Sequence, residues 1–135
     1  MRREDPRRHG AQQWLAKAAE DLGLAELLVR GSVFPSAAVF HCQQAVEKAL
    51  KAFLFWHDRP FRRTHDLVEI GGRCVTVDPA LEPLLRRTAP LTEYAWKFRY
   101  PGEGEPSQAE AQEALSLARE VYEAILARLP QEVRP

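Results

Sequence analysis

The stretch from Ser36 to Asp66 constrains the fold more than any other part of the chain. It opens with SAAVFHCQQAVEKALKAFLFW, in which large apolar residues recur at helical spacing and mostly small residues line the adjoining side. The large apolar residues are Val39, Val46, Leu50 and Phe53. A helix with so wide an apolar surface is typical of the centre of a bundle, and its remaining polar stripe is either a solvated rim or a binding surface. The stripe consists of His41, Gln44, Lys48 and Lys51.

Helix signals continue on both sides of this segment. The periodicity predicts a first helix from about Ala11 to Val29, with Asp21 largely outside its apolar stripe, and the second helix from Ser36, an N-cap candidate, to about Trp56. A short third helix is expected to start near Thr64 or His65 and to stop at Gly71-Gly72, because glycine commonly follows the end of a helix.

Two further helices complete the predicted set. Asp78-Pro79 is a helix start, since aspartate can cap free amides and proline at the first helical position loses no hydrogen bond. Pro90 lies inside the helical pattern that follows, so we expect a kink or a break near Thr88. Ser107 with Glu110 forms a capping box that opens a last helix, which ends at Pro130.

These elements predict an all-α protein, an antiparallel up-and-down bundle of four to five helices. The apolar fraction of 45% over 135 residues suits one domain, placed at residues 11–130. Residues 1–10 are expected to be a disordered basic tail, and residues 131–135 a second tail. No apolar run is long enough for a membrane span and no secretory segment follows the charged N-terminus, so we expect no membrane association and a cytoplasmic location.

Three segments resemble the HEPN domain in their order and separation: QQAVEKALKAFL at residues 43–54, THDL at 64–67 and FRYP at 98–101. The resemblance covers roughly Trp14 to Leu129. It implies a small all-helical bundle that is usually dimeric. It also implies one of two functions, because the family divides between metal-independent ribonucleases and non-catalytic partners of minimal nucleotidyltransferases.

The arginine and histidine pair of the catalytic members has no clear counterpart in this chain. In those members an arginine precedes a histidine by a gap of four to six residues on one helix. Arg59 and His65 have that spacing, but Pro60 lies in the gap and the segment reads as a loop. Arg3 and His9 match the spacing in the predicted tail, and Arg99 has no histidine within reach downstream.

His65 and Asp66 are the first polar pair of interest. An imidazole near a helix start beside arginines can bind anions or act as an acid or base near neutral pH. The alternative, which we favour, is that Asp66 and Thr64 cap the third helix while His65 packs against a neighbour. In either case Arg62 and Arg63 could contact phosphate through bidentate hydrogen bonds.

Arg99 lies between two aromatic residues, Phe98 and Tyr100, where a nucleotide could stack on a ring and place its phosphate on the guanidinium. Equally, Arg99 could cap a helix C-terminus and pair with Glu47 or Glu103. Both interpretations stay open at the level of sequence.

The leading hypothesis is a non-catalytic HEPN protein that binds a nucleotide or a nucleotide-bearing substrate and works with a separately encoded minimal nucleotidyltransferase. Its candidate ligand residues are Lys48, Lys51, His65, Arg99 and Tyr100. The second hypothesis is a metal-independent RNA endonuclease of toxin type, with His65 as acid or base and Arg59 or Arg99 on the phosphate. The third is a dimerisation module without a ligand. All three predict a homodimer, and none requires a cofactor or a metal, since His41 and Cys42 point apart on a helix.

Overall fold

The computed structural model describes residues 5–135, and within that range the chain forms five α-helices and no strand. The helices are α1 (Pro6–Arg30), α2 (Pro35–Trp56), α3 (Leu67–Val77), α4 (Glu82–Thr88) and α5 (Gln108–Leu126). Three short 3-10 segments are Pro79–Leu81, Ala89–Ala95 and Gln131–Val133. The prediction of an all-α bundle is confirmed. None of the helices within residues 5–135 combines the length and the apolar character that crossing a membrane requires.

The central element is α2, which packs against α1, α3, α5 and the 3-10 segment Ala89–Ala95. The large residues predicted for its apolar face are all buried. A short turn connects α1 to α2, and the start of α1 lies beside the end of α2, so the two helices form an antiparallel hairpin. Arg7, for example, stacks on the ring of Trp56 at 5.2 Å.

Helix α1 begins before Ala11, where the sequence pattern placed its start. Asp5 is the N-cap and accepts a hydrogen bond from the Arg7 amide, while Pro6 occupies the first helical turn. Gly10 is buried against Phe55, at a place where a Cβ would overlap the ring. The prediction of a disordered tail is therefore wrong for residues 5–10, because capping and packing hold them. Residues 1–4 of that tail lie outside the described residues.

Helix α2 ends at Trp56 as predicted but begins with Pro35, not with Ser36 as its cap. The N-cap is Phe34, whose φ of 48° is in the left-handed region and whose side chain makes no capping hydrogen bond. Proline in the first turn has its φ already set for a helix, which explains the earlier start.

Helix α3 runs through the two glycines at which the sequence pattern predicted its end. Asp66 caps it by accepting from the Val68 amide, and the helix continues to Val77. Cys74, on the turn that follows Gly71-Gly72, is buried in the core. A glycine inside a helix costs only about 1 kcal/mol, which burial of the next turn offsets.

The helix boundaries after α3 agree better with those predicted from the sequence. Helix α4 gives way at Thr88 to the 3-10 segment, which confirms the break predicted from Pro90. The capping box of Ser107 and Glu110 is present at the start of α5. Beyond α5, Val133 is fully buried, so residues 131–135 include a segment that packs on the domain.

Candidate functional site

The polar residues in the middle of α2 are mostly buried within the monomer. Gln43, Glu47 and Lys51 are almost inaccessible to solvent, and Gln44 is buried as well. Burying a polar side chain is unfavourable unless it has a hydrogen-bond or ion-pair partner. The contacts of these residues therefore define the candidate site. The contacts separate into two groups, each built around one carboxylate.

The first group, the Glu47 cluster, consists of Gln43, Gln44, Glu47, Lys51 and His65. Glu47 Oε2 lies 2.9 Å from Lys51 Nζ, and Glu47 Oε1 lies 2.7 Å from His65 Nδ1. Gln43 Nε2 donates to Glu47 Oε1 and to the backbone carbonyl of His65, both at 3.1 Å. Gln44 in turn donates to Gln43 Oε1 at 2.7 Å. One turn of α2 thus fixes both the ring and the backbone of His65.

Two aromatic rings shield the ammonium group of this cluster. Lys51 Nζ lies 5.4 Å from the centre of the Trp14 ring and 5.7 Å from that of Phe61. The two rings pack edge to face, with centroids 5.9 Å apart. Cations are attracted to ring faces, and here the rings also exclude water from the Lys51–Glu47 pair. The Lys51 ammonium therefore interacts with groups inside the protein.

His65 is the exposed member of the Glu47 cluster. Its side chain is 62% exposed although Nδ1 contacts a carboxylate that is only 4% exposed. In the neutral ring, donation from Nδ1 to Glu47 leaves Nε2 as an acceptor, and in the protonated ring Nε2 is a donor. His65 is therefore held on its inner side and available to a ligand on its outer side.

The second group, the Asp21 cluster, consists of Asp21, His41 and Lys48. Asp21 Oδ1 lies 2.8 Å from His41 Nδ1, and Oδ2 lies 2.6 Å from Lys48 Nζ. The side chains of His41 and Lys48 are 24% and 23% exposed. Because Asp21 belongs to α1 and the other two residues belong to α2, the cluster joins these helices. Asp21 is itself buried, which corrects its predicted position outside the packed face of α1.

Arg99 lies near the start of α2, over the ring of Phe40. The guanidinium carbon is 4.4 Å from the ring centre, and Nη1 donates to the carbonyl of Ala95 at 3.3 Å. The predicted capping contact is thus present. The predicted pairing with Glu103 or Glu47 is absent among residues 5–135: Glu103 accepts from the Tyr100 amide at 2.8 Å, and the Glu47 oxygens contact Lys51, His65 and Gln43.

Tyr100 extends the surface around Arg99. Its side chain is among the most exposed of the large apolar ones, and Trp96 nearby in sequence is exposed as well. Phe98 has a φ of 68°, which turns the chain sharply between these two rings. Exposed aromatic rings beside an arginine can stack with a base.

The predicted ligand residues are therefore distributed along α2 and do not meet at one point. Arg99 lies over Phe40 and His65 binds Glu47, and these two α2 positions are about 10 Å apart at 1.5 Å per residue. A single phosphate cannot span that distance, but a larger ligand that lies along α2 can contact both Arg99 and His65.

Arg59 is placed elsewhere, at the C-terminal end of α2. Its amide donates to the Leu54 carbonyl at 2.8 Å, and its side chain lines a cavity of about 170 Å³ with Pro60, Arg73 and Thr76. His65 does not line that cavity, and the chain between Arg59 and Asp66 is not helical. The structure does not bring Arg59 and His65 together as a pair.

The basic loop before α3 is partly neutralised. Arg62 forms two hydrogen bonds with Glu69, at 2.7 and 2.8 Å, and this contact raises the pKa of Arg62 and lowers the pKa of Glu69. Arg63 is exposed. The capping role predicted for Asp66 is confirmed, whereas Thr64 Oγ1 accepts from the amide of Asp66 itself and not from an amide of the first helical turn.

Both cysteines are free and buried, and burial raises the pKa of the Cys42 and Cys74 thiols to about 12. A thiol with so high a pKa is not a nucleophile at neutral pH. Among residues 5–135, no group of three or more histidine, cysteine, aspartate and glutamate side chains is placed to hold a metal ion.

The two anchoring carboxylates are what sequence reasoning missed. Glu47 lies four residues before Lys51, a spacing that predicts an ion pair on one helix face, but nothing in the sequence predicts that it holds His65. For Asp21 the sequence predicts only a place largely outside the apolar stripe of α1, with no partner. The available signal was the position of each acid beside buried residues in its own helix, such as Leu22 beside Asp21.

Comparisons with known proteins agree with this architecture. The family model described as the HEPN domain matches residues 11–129. A protein of Methanocaldococcus jannaschii named "Putative toxin MJ1304" is 42% identical over 53 residues, which are 39% of this chain and 34% of that protein. The aligned part thus spans about a third of that relative's length. No solved structure matches the chain.

Proposed function

The chain belongs to the HEPN domain family, and we propose that it is a non-catalytic member that binds a nucleotide or a nucleotide-bearing substrate. In this proposal it acts in the cytoplasm beside a separately encoded minimal nucleotidyltransferase, as one half of a toxin–antitoxin-like pair, and it forms a homodimer. The name of the M. jannaschii relative supports the toxin part of the proposal.

One observation carries the ligand proposal: two exposed groups, His65 and Arg99, are held by partners that lie about two helical turns apart on α2, the buried Glu47 and the half-buried Phe40. His65 is fixed by Glu47, and Arg99 is fixed over Phe40. A pre-positioned side chain loses little entropy when it binds, so such groups favour recognition. The guanidinium would contact phosphate, His65 would contact a second polar group, and Tyr100 would stack on a base.

The two lysines contribute differently. Lys48 is partly exposed beside Asp21 and can face a phosphate directly. Lys51 is buried under Trp14 and Phe61, so it supports the site by holding Glu47 in place.

Calorimetric titration with a panel of nucleotides tests this proposal. We expect the wild-type protein to bind at least one nucleotide, and Arg99→Ala and His65→Ala each to weaken that binding by about tenfold, or about 1.4 kcal/mol. Arg86→Ala is the matched control, because Arg86 is an exposed arginine paired with Glu82 on α4. Equal affinity in Arg99→Ala, His65→Ala and the control would reject the assignment.

The second candidate is a metal-independent endoribonuclease, and one observation favours it. A histidine held at Nδ1 by a carboxylate is the arrangement of a general acid or base. The phosphate-binding partner would be Arg99 or Arg59, neither of which contacts His65 in the described part of the chain. Incubation with mixed-sequence RNA in EDTA decides between the two. Cleavage that His65→Ala abolishes would make the protein an enzyme.

The third candidate is a dimerisation module without a ligand. It would be supported if neither nucleotide binding nor RNA cleavage is detected while the protein still forms a dimer. In that case the exposed side chains of His65 and Arg99 are surface groups without a ligand.

A further inference from the structure

The outer face of α1 is exposed along its whole length and divides into two unlike halves. The C-terminal half is apolar, with Leu24 41% and Leu27 66% exposed. The N-terminal half is polar and contains a shallow depression of about 600 Å³. Its lining residues are Gln13, Trp14, Ala16, Lys17 and Glu20. All of them belong to α1, so the depression is an open feature of one helix face.

The apolar half extends into the turn that connects α1 to α2. Val33 is 45% exposed and Phe34 is 69% exposed. Phe34 is held at a φ of 48°, a conformation that L residues with large side chains rarely adopt. An exposed aromatic side chain in a strained turn points to a contact outside the monomer.

We propose that two copies of this chain pack through this face of α1, about a two-fold axis that passes between Leu24 and Leu27. This inference rests on the homodimer of the proposed function and names its interface. A two-fold axis at this point brings Leu24 of one copy against Leu27 of the other, and the reverse. The contact is therefore self-complementary, as an isologous interface requires.

Charge supports a second copy as the occupant. Along α1, Glu20 and Arg30 lie about 7 to 8 Å from the axis on opposite sides, at 1.5 Å per residue. Each therefore reaches the level of the other in the partner. Arg30 is exposed and contacts no acidic group among residues 5–135, whereas Glu20 has only an exposed pair with Lys17 at 3.5 Å. Packing adds a salt bridge on each side of the leucines.

The depression accounts for Phe34. Since α2 begins where α1 ends, Phe34 lies near the level of Arg30, and the axis carries it to the partner's polar half. There it meets the edge of the depression at Glu20, the level that Arg30 also reaches, and the ring covers the open side of the recess. An apolar centre with a polar rim is the usual anatomy of a protein interface.

Light scattering after size exclusion, over a concentration series, tests this interface. We expect wild-type protein at twice the chain mass of 15.4 kDa. Leu27→Glu should give the mass of one chain at concentrations where the wild type is dimeric. Val68→Glu is the matched control, since Val68 is 63% exposed on α3, and it should stay dimeric. Circular dichroism confirms that each variant is folded.

A charge exchange makes the test specific. Glu20→Arg and Arg30→Glu should each raise the dissociation constant of the dimer by about tenfold, and the double variant should restore it. No rescue in the double variant, or a dimer that Val68→Glu dissociates and Leu27→Glu leaves intact, would overturn the α1 interface. The homodimer of the proposed function would stand in that second case, whereas a wild type that is monomeric throughout would reject both. Nucleotide titration of Leu27→Glu separates ligand binding from assembly.

Discussion

The Glu47 and Asp21 clusters have the same three chemical parts but arrange them differently. Each has a carboxylate between a lysine ammonium and the Nδ1 of a histidine. In the Asp21 cluster, His41 and Lys48 are exposed to almost the same small extent. In the Glu47 cluster the lysine is sealed under two rings, and His65 faces the solvent.

This difference separates a structural contact from a candidate site. Asp21 joins two helices, and both of its partners can still turn toward water. Glu47 has one buried cation that cannot leave and one exposed imidazole that can meet a ligand. A buried charge pair is weak evidence for stability but is expensive to break from one side. The following predictions test whether the two clusters differ as this contrast requires.

The largest effect is expected for Glu47→Ala. The variant leaves Lys51 buried and without a counter-charge, so we expect it to destabilise the protein by about 3 to 5 kcal/mol, measured by urea denaturation. Glu82→Ala is the control, because Glu82 pairs with Arg86 on the surface. An exposed pair of this kind contributes no more than about 1 kcal/mol.

Replacing both charges sharpens the same test. Glu47→Leu combined with Lys51→Met should recover most of the loss, since a buried ion pair can be exchanged for apolar residues at little cost. If Glu47→Ala costs no more than Glu82→Ala, Lys51 has access to water and the contrast between the clusters fails.

Asp21→Ala should have a smaller effect, about 2 kcal/mol in the same denaturation experiment. The variant removes two charge-assisted hydrogen bonds between α1 and α2, but Lys48 and His41 are exposed enough to be solvated afterwards. A loss as large as that of Glu47→Ala would show that exposure of the cations does not distinguish the two clusters.

The two histidines should separate stability from ligand binding. His65→Ala leaves Glu47 bound to Lys51 and Gln43, so stability should fall by less than about 1 kcal/mol while nucleotide affinity falls about tenfold. His41→Ala should lower stability by about 1 kcal/mol and leave nucleotide affinity within twofold of wild type. The reverse result would move the candidate site to the Asp21 cluster.

The sequence predicted the helices of this fold better than the tertiary contacts around them. The capping box of Ser107 and Glu110 is a local signal that depends only on neighbouring residues, and it is present as predicted. The stop at Gly71-Gly72 was wrong because burial of Cys74 in the core overrides local propensity.

Burial of the candidate site could not be predicted for a similar reason. Periodicity showed that Lys48 and Lys51 share a face of α2, but not which elements cover that face. Trp14 and Phe61 cover Lys51 and come from positions far apart in the sequence. Asp21 reaches Lys48 only because α1 and α2 pack as a hairpin. The sequence identified the chemical groups, whereas tertiary packing determined which of them are exposed.

The smallest expected effect concerns His57, a histidine that no carboxylate holds at hydrogen-bond distance in the described part of the chain. It packs on Phe53 at 4.5 Å, and burial, then Arg59 and Arg7, lower its pKa. The unfolded chain, with an ordinary histidine pKa of about 6.5, then binds more protons than the folded protein. The contribution of His57 to the free energy of unfolding is therefore fully present above the unfolded-state pKa of about 6.5. It is lost as the pH falls from there through the lower pKa of the folded state.

His57→Gln removes this contribution, so its stability should decline less steeply than that of the wild type as the pH falls below about 6.5. Chemical denaturation at several pH values between neutral and mildly acidic measures the difference. Because His57 is only half-buried, the change in slope should be small. Parallel pH profiles would show that His57 has the same affinity for protons in both states.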